Sequence, residues 1–98
     1  MNNIEREKID LTEEELLDLW DGVYFVNSVY NLRGVDYKHV MVINTSDNSD
    51  GPSWDYIIQR VGDGRFFKFH IWDAGKNGYI FEKKYIIEVF EKQTVTYE

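Results

Sequence analysis

The spacing of apolar residues changes near Gly22, and the change separates a helical segment from a sheet-forming one. In LTEEELLDLWDG, large apolar residues recur at intervals of three and four, which predicts one apolar stripe along a helix. The stripe consists of Leu16, Leu19 and Trp20, with Leu17 at its margin. After Gly22, apolar and polar residues alternate with a period of two, as is typical of β-strands. We therefore predict a helix within residues 12–21 and a β-sheet within residues 23–98.

The start of this helix carries the pattern of a capping box. Thr12 can accept a hydrogen bond from the first turn, while Glu15, three residues later, can reach back to the Thr12 backbone N–H. Leu11 and Leu16 flank the cap at the spacing of a hydrophobic staple, and Gly22 is placed to end the helix. These signals bound the helix at both ends.

About five strands are predicted after the helix. They cover residues 23–31, 37–45, 54–61 and 65–72, with one long strand or a pair of strands within 85–98. Polar loops are predicted at SDNSDGPS and DAGKNG. The fold class is therefore α+β, with one short N-terminal helix packed on an antiparallel sheet of about five strands. We expect a single domain over residues 1–98, with residues 1–10 flexible.

The dipeptide Asp63-Gly64 lies between two aromatic-rich runs and is a strong hairpin signal. With these two residues as the loop, Ile58 faces Phe69 across the hairpin. One face is then a core face, formed by Trp54, Tyr56, Ile58, Phe67, Phe69 and Ile71. The other face is mixed and suits either cover by the helix or contact with a partner. It carries Asp55, Ile57, Gln59, Val61, Phe66, Lys68, His70 and Trp72.

The acidic charge of the chain is concentrated near its start. The formal net charge is −7, and residues 1–21 hold eight acidic and two basic residues, while residues 22–98 are close to neutral. Such a balance argues against binding nucleic acid or an anionic membrane through a basic surface. The acidic side of the helix is either a solvated face or a surface offered to a basic partner. It carries Glu14, Glu15, Asp18 and Asp21.

No catalytic or metal-binding motif is complete. The chain has no cysteine, which excludes disulfides and thiolate metal sites. DAGKNGYI imitates the start of a calcium loop but has Lys84 where the closing glutamate belongs, and SDNSDG also lacks a closing acid. His39 and His70 lie on separate predicted strands, so we interpret both as structural or surface histidines. We expect no enzyme activity, no cofactor and no metal.

The chain also lacks a predicted membrane segment and a secretion signal. No run of about 20 apolar residues is present, and the N-terminal residues contain no apolar signal region. We expect a cytoplasmic protein. A nucleic-acid-binding sheet stays open as an alternative, because Arg65, Lys68 and His70 alternate with Phe66 and Trp72 as in sheets that stack bases. The negative charge of the chain opposes it.

Residues 54–98 resemble the small, β-rich accessory proteins of bacteriophages. The resemblance lies in the VGDGRFFKF hairpin and in the acidic C-terminal strand that ends in VFEKQTVTYE. It implies an early-expressed factor in the host cytoplasm that binds and inhibits a host protein, for example a nuclease or another part of an antiviral system. It supplies no catalytic residue, and it does not extend to the N-terminal helix.

The sequence thus predicts a non-catalytic protein-binding inhibitor, and the resemblance implies that it blocks a host defence protein. The acidic helix face would attract a basic, nucleic-acid-binding surface, and exposed aromatics, including Tyr24, would anchor it. The predicted partner-binding residues are Glu14, Glu15, Asp18, Asp21, Phe66, Lys68, His70 and Trp72. One alternative is a protein that sequesters a nucleotide signal, using Arg65, Lys68, His70 and Trp72. Another is a homo-oligomeric module that pairs through the edge of its C-terminal strand.

Overall fold

A computed structural model describes residues 5–45 and 51–91 of the chain. The elements in chain order are β1 (Lys8–Asp10), α1 (Glu13–Gly22), β2 (Val29–Leu32), β3 (Val35–Asn44), β4 (Ser53–Arg60), β5 (Phe66–Asp73), β6 (Tyr79–Phe81) and β7 (Tyr85–Val89). A short 3₁₀ turn, Gly75–Asn77, connects β5 to β6. The helix and the antiparallel sheet agree with the predicted α+β class, but the described residues form seven strands rather than about five.

The strands form one curled antiparallel sheet with the order β1-β7-β5-β4-β3-β2. One side of β5 is shared by two short strands. The start of β5 pairs with β7, and its end pairs with β6. Residues 82–84, between these two strands, bulge out of the ladder, although the Glu82 N–H still donates to the His70 carbonyl over 3.3 Å. β7 lies between β5 and β1, because Ile87 is paired with both Lys68 and Lys8. The described part of the C-terminal strand therefore has neighbours on both sides.

The helix begins with the predicted capping box. The backbone N–H of Glu15 donates to Thr12 Oγ1 over 3.1 Å, and the Thr12 N–H donates to Glu15 Oε1 over 3.0 Å. The helix ends at Gly22, which lies directly beneath the ring of Tyr30. A Cβ atom at Gly22 would lie 2.3 Å from Tyr30 Cδ1, so only glycine permits this close packing.

The predicted core face of the hairpin is confirmed. Tyr56, Ile58, Phe67, Phe69 and Ile71 are all buried in one cluster with the helix residues Leu16 and Leu19, and Trp54 packs against it partly buried. Rings add specific contacts, such as the stacking of Tyr56 on Phe69 with centroids 5.3 Å apart. The apolar stripe of the helix thus packs on the sheet.

The pairing within this hairpin differs from the prediction by two residues. Ile58 faces Phe67 rather than Phe69, and the loop holds four residues, 61–64, rather than two. Arg60 N–H donates to the Arg65 carbonyl, which closes the loop. The longer loop is stabilised by the Asp63 carboxylate, which accepts from the Arg65 N–H, and by positive φ at Gly64. A shift of two residues leaves every side chain on its predicted face.

The strand predicted over residues 23–31 is wrong for most of its length, since β2 covers only Val29–Leu32. Val23 instead caps the helix, with its N–H bonded to the Leu19 carbonyl, and its side chain is buried. The carbonyl of Val23 accepts a hydrogen bond from the Nδ1–H of buried His39, 2.6 Å away. Asn27 then takes φ of 68°, so residues 23–28 turn rather than extend.

Part of the segment expected to be flexible, residues 1–10, belongs to the sheet. Lys8–Asp10 form β1, an edge strand paired with β7, and Ile9 lies opposite Ile86. The sheet therefore includes residues that precede the helix. Residues 1–4, most of the predicted SDNSDGPS loop (46–50) and residues 92–98 of the predicted last strand lie outside the described residues. In the described part of the chain, no helix is long and apolar enough to cross a membrane.

Candidate functional site

The predicted partner-binding residues fall on opposite sides of the sheet. The helix packs against the side that carries Phe67 and Phe69. Successive strand residues point to opposite faces, so the four predicted residues of β5 point away from the helix. These four are Phe66, Lys68, His70 and Trp72. We call the side with the helix the helix surface and the other side the strand surface. The eight predicted residues do not form a single site.

On the helix surface, three acidic residues lie in one row. Glu14, Asp18 and Asp21 are spaced by four and three residues, so they share one side of the helix, and all three are exposed. None of them forms an ion pair with a residue that the structure describes. Glu13, by contrast, pairs with Lys84 over 3.3 Å. We call Glu14, Asp18 and Asp21 the acidic stripe.

Glu15, the fourth predicted acid, has an internal role. Arg33 donates from Nε and Nη2 to the two carboxylate oxygens of Glu15, each over 2.7 Å, and also to the Asp10 carbonyl. The hydrogen bonds from Arg33 to Glu15, together with that from the Thr12 backbone, lower the pKa of Glu15 to about 2. Its carboxylate links the start of the helix to the β2–β3 turn.

Apolar side chains are exposed where the chain leaves the helix. Phe25 is 73% exposed and Val26 68%, beside Tyr24 at 48%, while Val29 at the start of β2 is also exposed. We call these four residues the aromatic patch. Only Tyr24 was predicted to be exposed, and all four residues were placed in the strand predicted over residues 23–31. A signal was present, since the run VYFV breaks the alternation that a half-buried strand requires.

An aromatic cavity of about 250 Å³ lies beside this patch. It is lined by Trp20, Tyr24, Val42, Trp54, Tyr56 and Tyr79. The ring of Trp20 lies 4.8 Å from that of Tyr79 and 5.7 Å from that of Tyr24, measured between centroids. Burial raises the pKa of Tyr56, and the neighbouring Trp20 indole opposes this shift. No charged residue lines the cavity.

The strand surface holds a second, polar cavity of about 350 Å³ beside the bulge of residues 82–84. Its polar lining comes from Thr45, Asp55, Lys68, His70, Glu82, Lys83 and Tyr85. His70 Nδ1 lies 2.7 Å from Asp55 Oδ1, and its Nε2 lies 4.0 Å from Glu82 Oε2. Lys68 and Lys83 have no ion-pair partner among the described residues. Phe66 and Trp72 are not among the lining residues.

Arg65 lies in a separate charge network that sequence analysis missed. At its centre Arg60 binds both carboxylate oxygens of Glu7, over 2.8 and 2.9 Å, and also binds Asp63 over 2.7 Å. These contacts lower the pKa of Glu7, lower that of Asp63 to about 2 and raise that of Arg60. Arg60 also lies over the Phe67 ring. The network joins Glu7, directly before β1, to the hairpin loop.

The other candidate chemistry takes structural roles in the described residues. His39 is buried and holds the Val23 carbonyl, in accord with the structural interpretation. Asp73 accepts from the Gly75 N–H within the connecting turn, which is how the first residue of the calcium-like segment is used. Over residues 5–45 and 51–91, no group of three or more metal-binding side chains converges. The SDNSDG segment lies mostly outside the described residues.

Comparisons with protein-family models, curated proteins and solved structures gave no match to this chain.

Proposed function

We propose that this protein is a non-catalytic binding protein whose helix surface engages a positively charged surface of another protein. The observation that carries the proposal is the acidic stripe, whose three exposed carboxylates have no ion-pair partner among the described residues. The chain leads directly from this stripe into the aromatic patch, where Phe25 is 73% exposed. Unpaired charge beside exposed apolar area is a common composition for a protein-binding surface.

The two parts of the surface would act at different steps of binding. The acidic stripe would raise the association rate by attracting a basic target before contact. Tyr24 and Phe25 would then lose their water and slow dissociation, as aromatic anchors do in protein interfaces. The target we propose is a basic, nucleic-acid-binding surface of a host defence protein, in line with the resemblance to bacteriophage accessory proteins. The carboxylates would take the place of phosphates on that surface.

Charge reversal tests this proposal. We expect a partner captured from host lysate by the wild-type protein to be lost by an Asp18→Lys/Asp21→Lys variant. The affinity of the variant for this partner should be at least about tenfold lower than that of the wild type, which corresponds to about 1.4 kcal/mol. The affinity should also depend less on salt concentration. A Glu5→Lys/Glu82→Lys variant changes the net charge equally outside the acidic stripe and should bind like wild type. Equal binding by all three proteins would refute the proposal.

A second candidate function is the binding of a small anionic molecule, such as a nucleotide, in the polar cavity. The observation in its favour is that Lys68, Lys83 and His70 line one cavity of about 350 Å³. A nucleotide that binds the folded state should raise the melting temperature of the wild type but not of a Lys68→Ala variant. Arg65 and Trp72, which the sequence assigned to the same ligand, are not part of this cavity.

A further inference from the structure

We propose that the aromatic cavity receives a positively charged side chain, a lysine ammonium or an arginine guanidinium, from a basic partner protein. This inference rests on the proposed function and assigns it a specific pocket. The pocket could not be predicted from the sequence, because its residues come from separate parts of the chain. They lie on the helix, on the turn that follows it, and on β3, β4 and β6.

The geometry of the rings suits a cation. Trp20 is tilted by 54° to Tyr79, by 65° to Tyr24 and by 84° to Tyr56, so the rings that line the cavity differ in orientation. The face of each aromatic ring carries partial negative charge and attracts an ammonium or guanidinium group placed over it, most strongly for tryptophan. Five of the six lining residues are aromatic.

Charge complementarity favours a cation over a neutral or anionic group. Asp21 directly follows Trp20 in the chain, about 100° further round the helix, and Asp18 lies two residues before Trp20, about half a turn away. Both are exposed and lack an ion-pair partner among the described residues. No basic residue lines the cavity, so an entering cation would meet no like charge inside it. An anion would be repelled by the acidic stripe, and a neutral group would gain nothing from it.

One side of the cavity is exposed to solvent, and the other side belongs to the core. Tyr24 and Tyr79 are 48% and 46% exposed and form its rim, whereas Tyr56 is buried and stacks on Phe69. A lysine or arginine side chain is long enough to place its charged end over the rings while its carbon stem packs against the rim. The rim residues are therefore the ones that can be changed with least effect on folding.

Binding of short peptides tests the inference directly. A lysine-containing peptide should change the tryptophan fluorescence of the wild type, and the same peptide with norleucine in place of lysine should not. Tyr24→Ala, which removes a ring, should weaken binding by about threefold to thirtyfold, the range of one cation–π contact. Tyr24→Phe keeps the ring and should bind like wild type. Tyr79→Ala, on a different element, should repeat the effect, and melting curves confirm that each variant is folded.

Several results would overturn the inference. Equal binding of the norleucine peptide would show an apolar pocket without preference for charge. Binding of tetramethylammonium but not of the lysine peptide would identify a small quaternary ammonium ligand instead. With the partner captured by the wild type, loss of binding through Asp18→Lys/Asp21→Lys but not through Tyr24→Ala would refute the cavity and leave the proposed function intact. If neither variant lost binding, both proposals would fail.

Discussion

At the scale of single residues, Arg33 has an unfavourable positive φ angle but makes hydrogen bonds to Glu15. Arg33 and Gly34 form the two-residue turn between β2 and β3, with φ values of 54° and 82°. Asparagine and glycine are the usual residues of such a turn, because at positive φ a Cβ atom crowds the following carbonyl oxygen; glycine has no Cβ, and the side chain of asparagine can hydrogen-bond locally. Arginine is accommodated here, where its guanidinium binds both oxygens of Glu15. This ion pair could not be predicted from the sequence pattern, because it joins residues 18 positions apart.

This ion pair predicts a loss of stability in acid. The pKa of Glu15 is lowered from 4.5 to about 2, so its contribution is fully present above about pH 4.5 and is lost as the pH falls through 2. An Arg33→Asn variant tolerates the turn conformation but cannot bind Glu15. Its urea midpoint should therefore fall less than that of the wild type between about pH 5 and about pH 2.5. Asp63 titrates in the same pH range, but it is present in both proteins, so its contribution cancels when their urea midpoints are compared. Equal losses in both proteins would contradict the assignment.

At the scale of elements, the hairpin shows which part of a pairing prediction is robust. Side-chain alternation correctly assigned the core face that holds Ile58 and Phe67, because burial of large apolar residues decides which face turns inward. The number of loop residues was not predictable from Asp63-Gly64 alone. It depends on Asp63 binding Arg60 and the Arg65 backbone, and these contacts exist only once the longer loop has formed. The helix was predicted more accurately, because its capping box is local in sequence.

The contact between the helix end and β2 supports a double-mutant prediction. Gly22→Ala places a Cβ atom against the Tyr30 ring and should lower the free energy of unfolding by about 1–3 kcal/mol. In a Tyr30→Ala background the clash is gone, so the same change should cost close to nothing. Chemical denaturation of the four proteins measures the coupling. Additive effects of the two substitutions would show that Tyr30 does not restrict position 22.

At the scale of the whole molecule, the division of the predicted site has a physical cause. Phe66, Lys68, His70 and Trp72 were grouped with the acidic helix residues because both sets appeared free of the core. The sequence shows that a helix and a sheet face each other, but the partner-binding set depends on which side of the sheet the helix covers. That side is set by the burial of Leu16 and Leu19 against Phe67. The aromatic patch was missed for a similar reason, since its exposure follows from how residues 23–28 turn.

The charge network around Arg60 predicts how firmly β1 is held. Arg60→Met leaves Glu7 and Asp63 without their main partner. The Arg60 side chain is only 16% exposed, so the substitution also removes a largely buried group. We expect a loss of about 1–3 kcal/mol in the free energy of unfolding and faster hydrogen exchange at Ile9. Arg65→Met, whose side chain is 52% exposed, is the matched control and should have a smaller effect. Unchanged exchange at Ile9 in the Arg60 variant would show that strand pairing alone holds β1.

The pairing of β1 with β7 also bears on how the chain folds as it is synthesised. Asp10 lies opposite Tyr85, so the first described strand cannot find its neighbour until about 75 more residues have been added. At about 5 to 20 residues per second this takes roughly 4 to 15 s. Throughout that time Ile9 and the apolar side of the helix have no completed sheet to cover them. The sheet can therefore be completed only after β7 has been made, and until then the surplus of acidic residues around the helix opposes self-association.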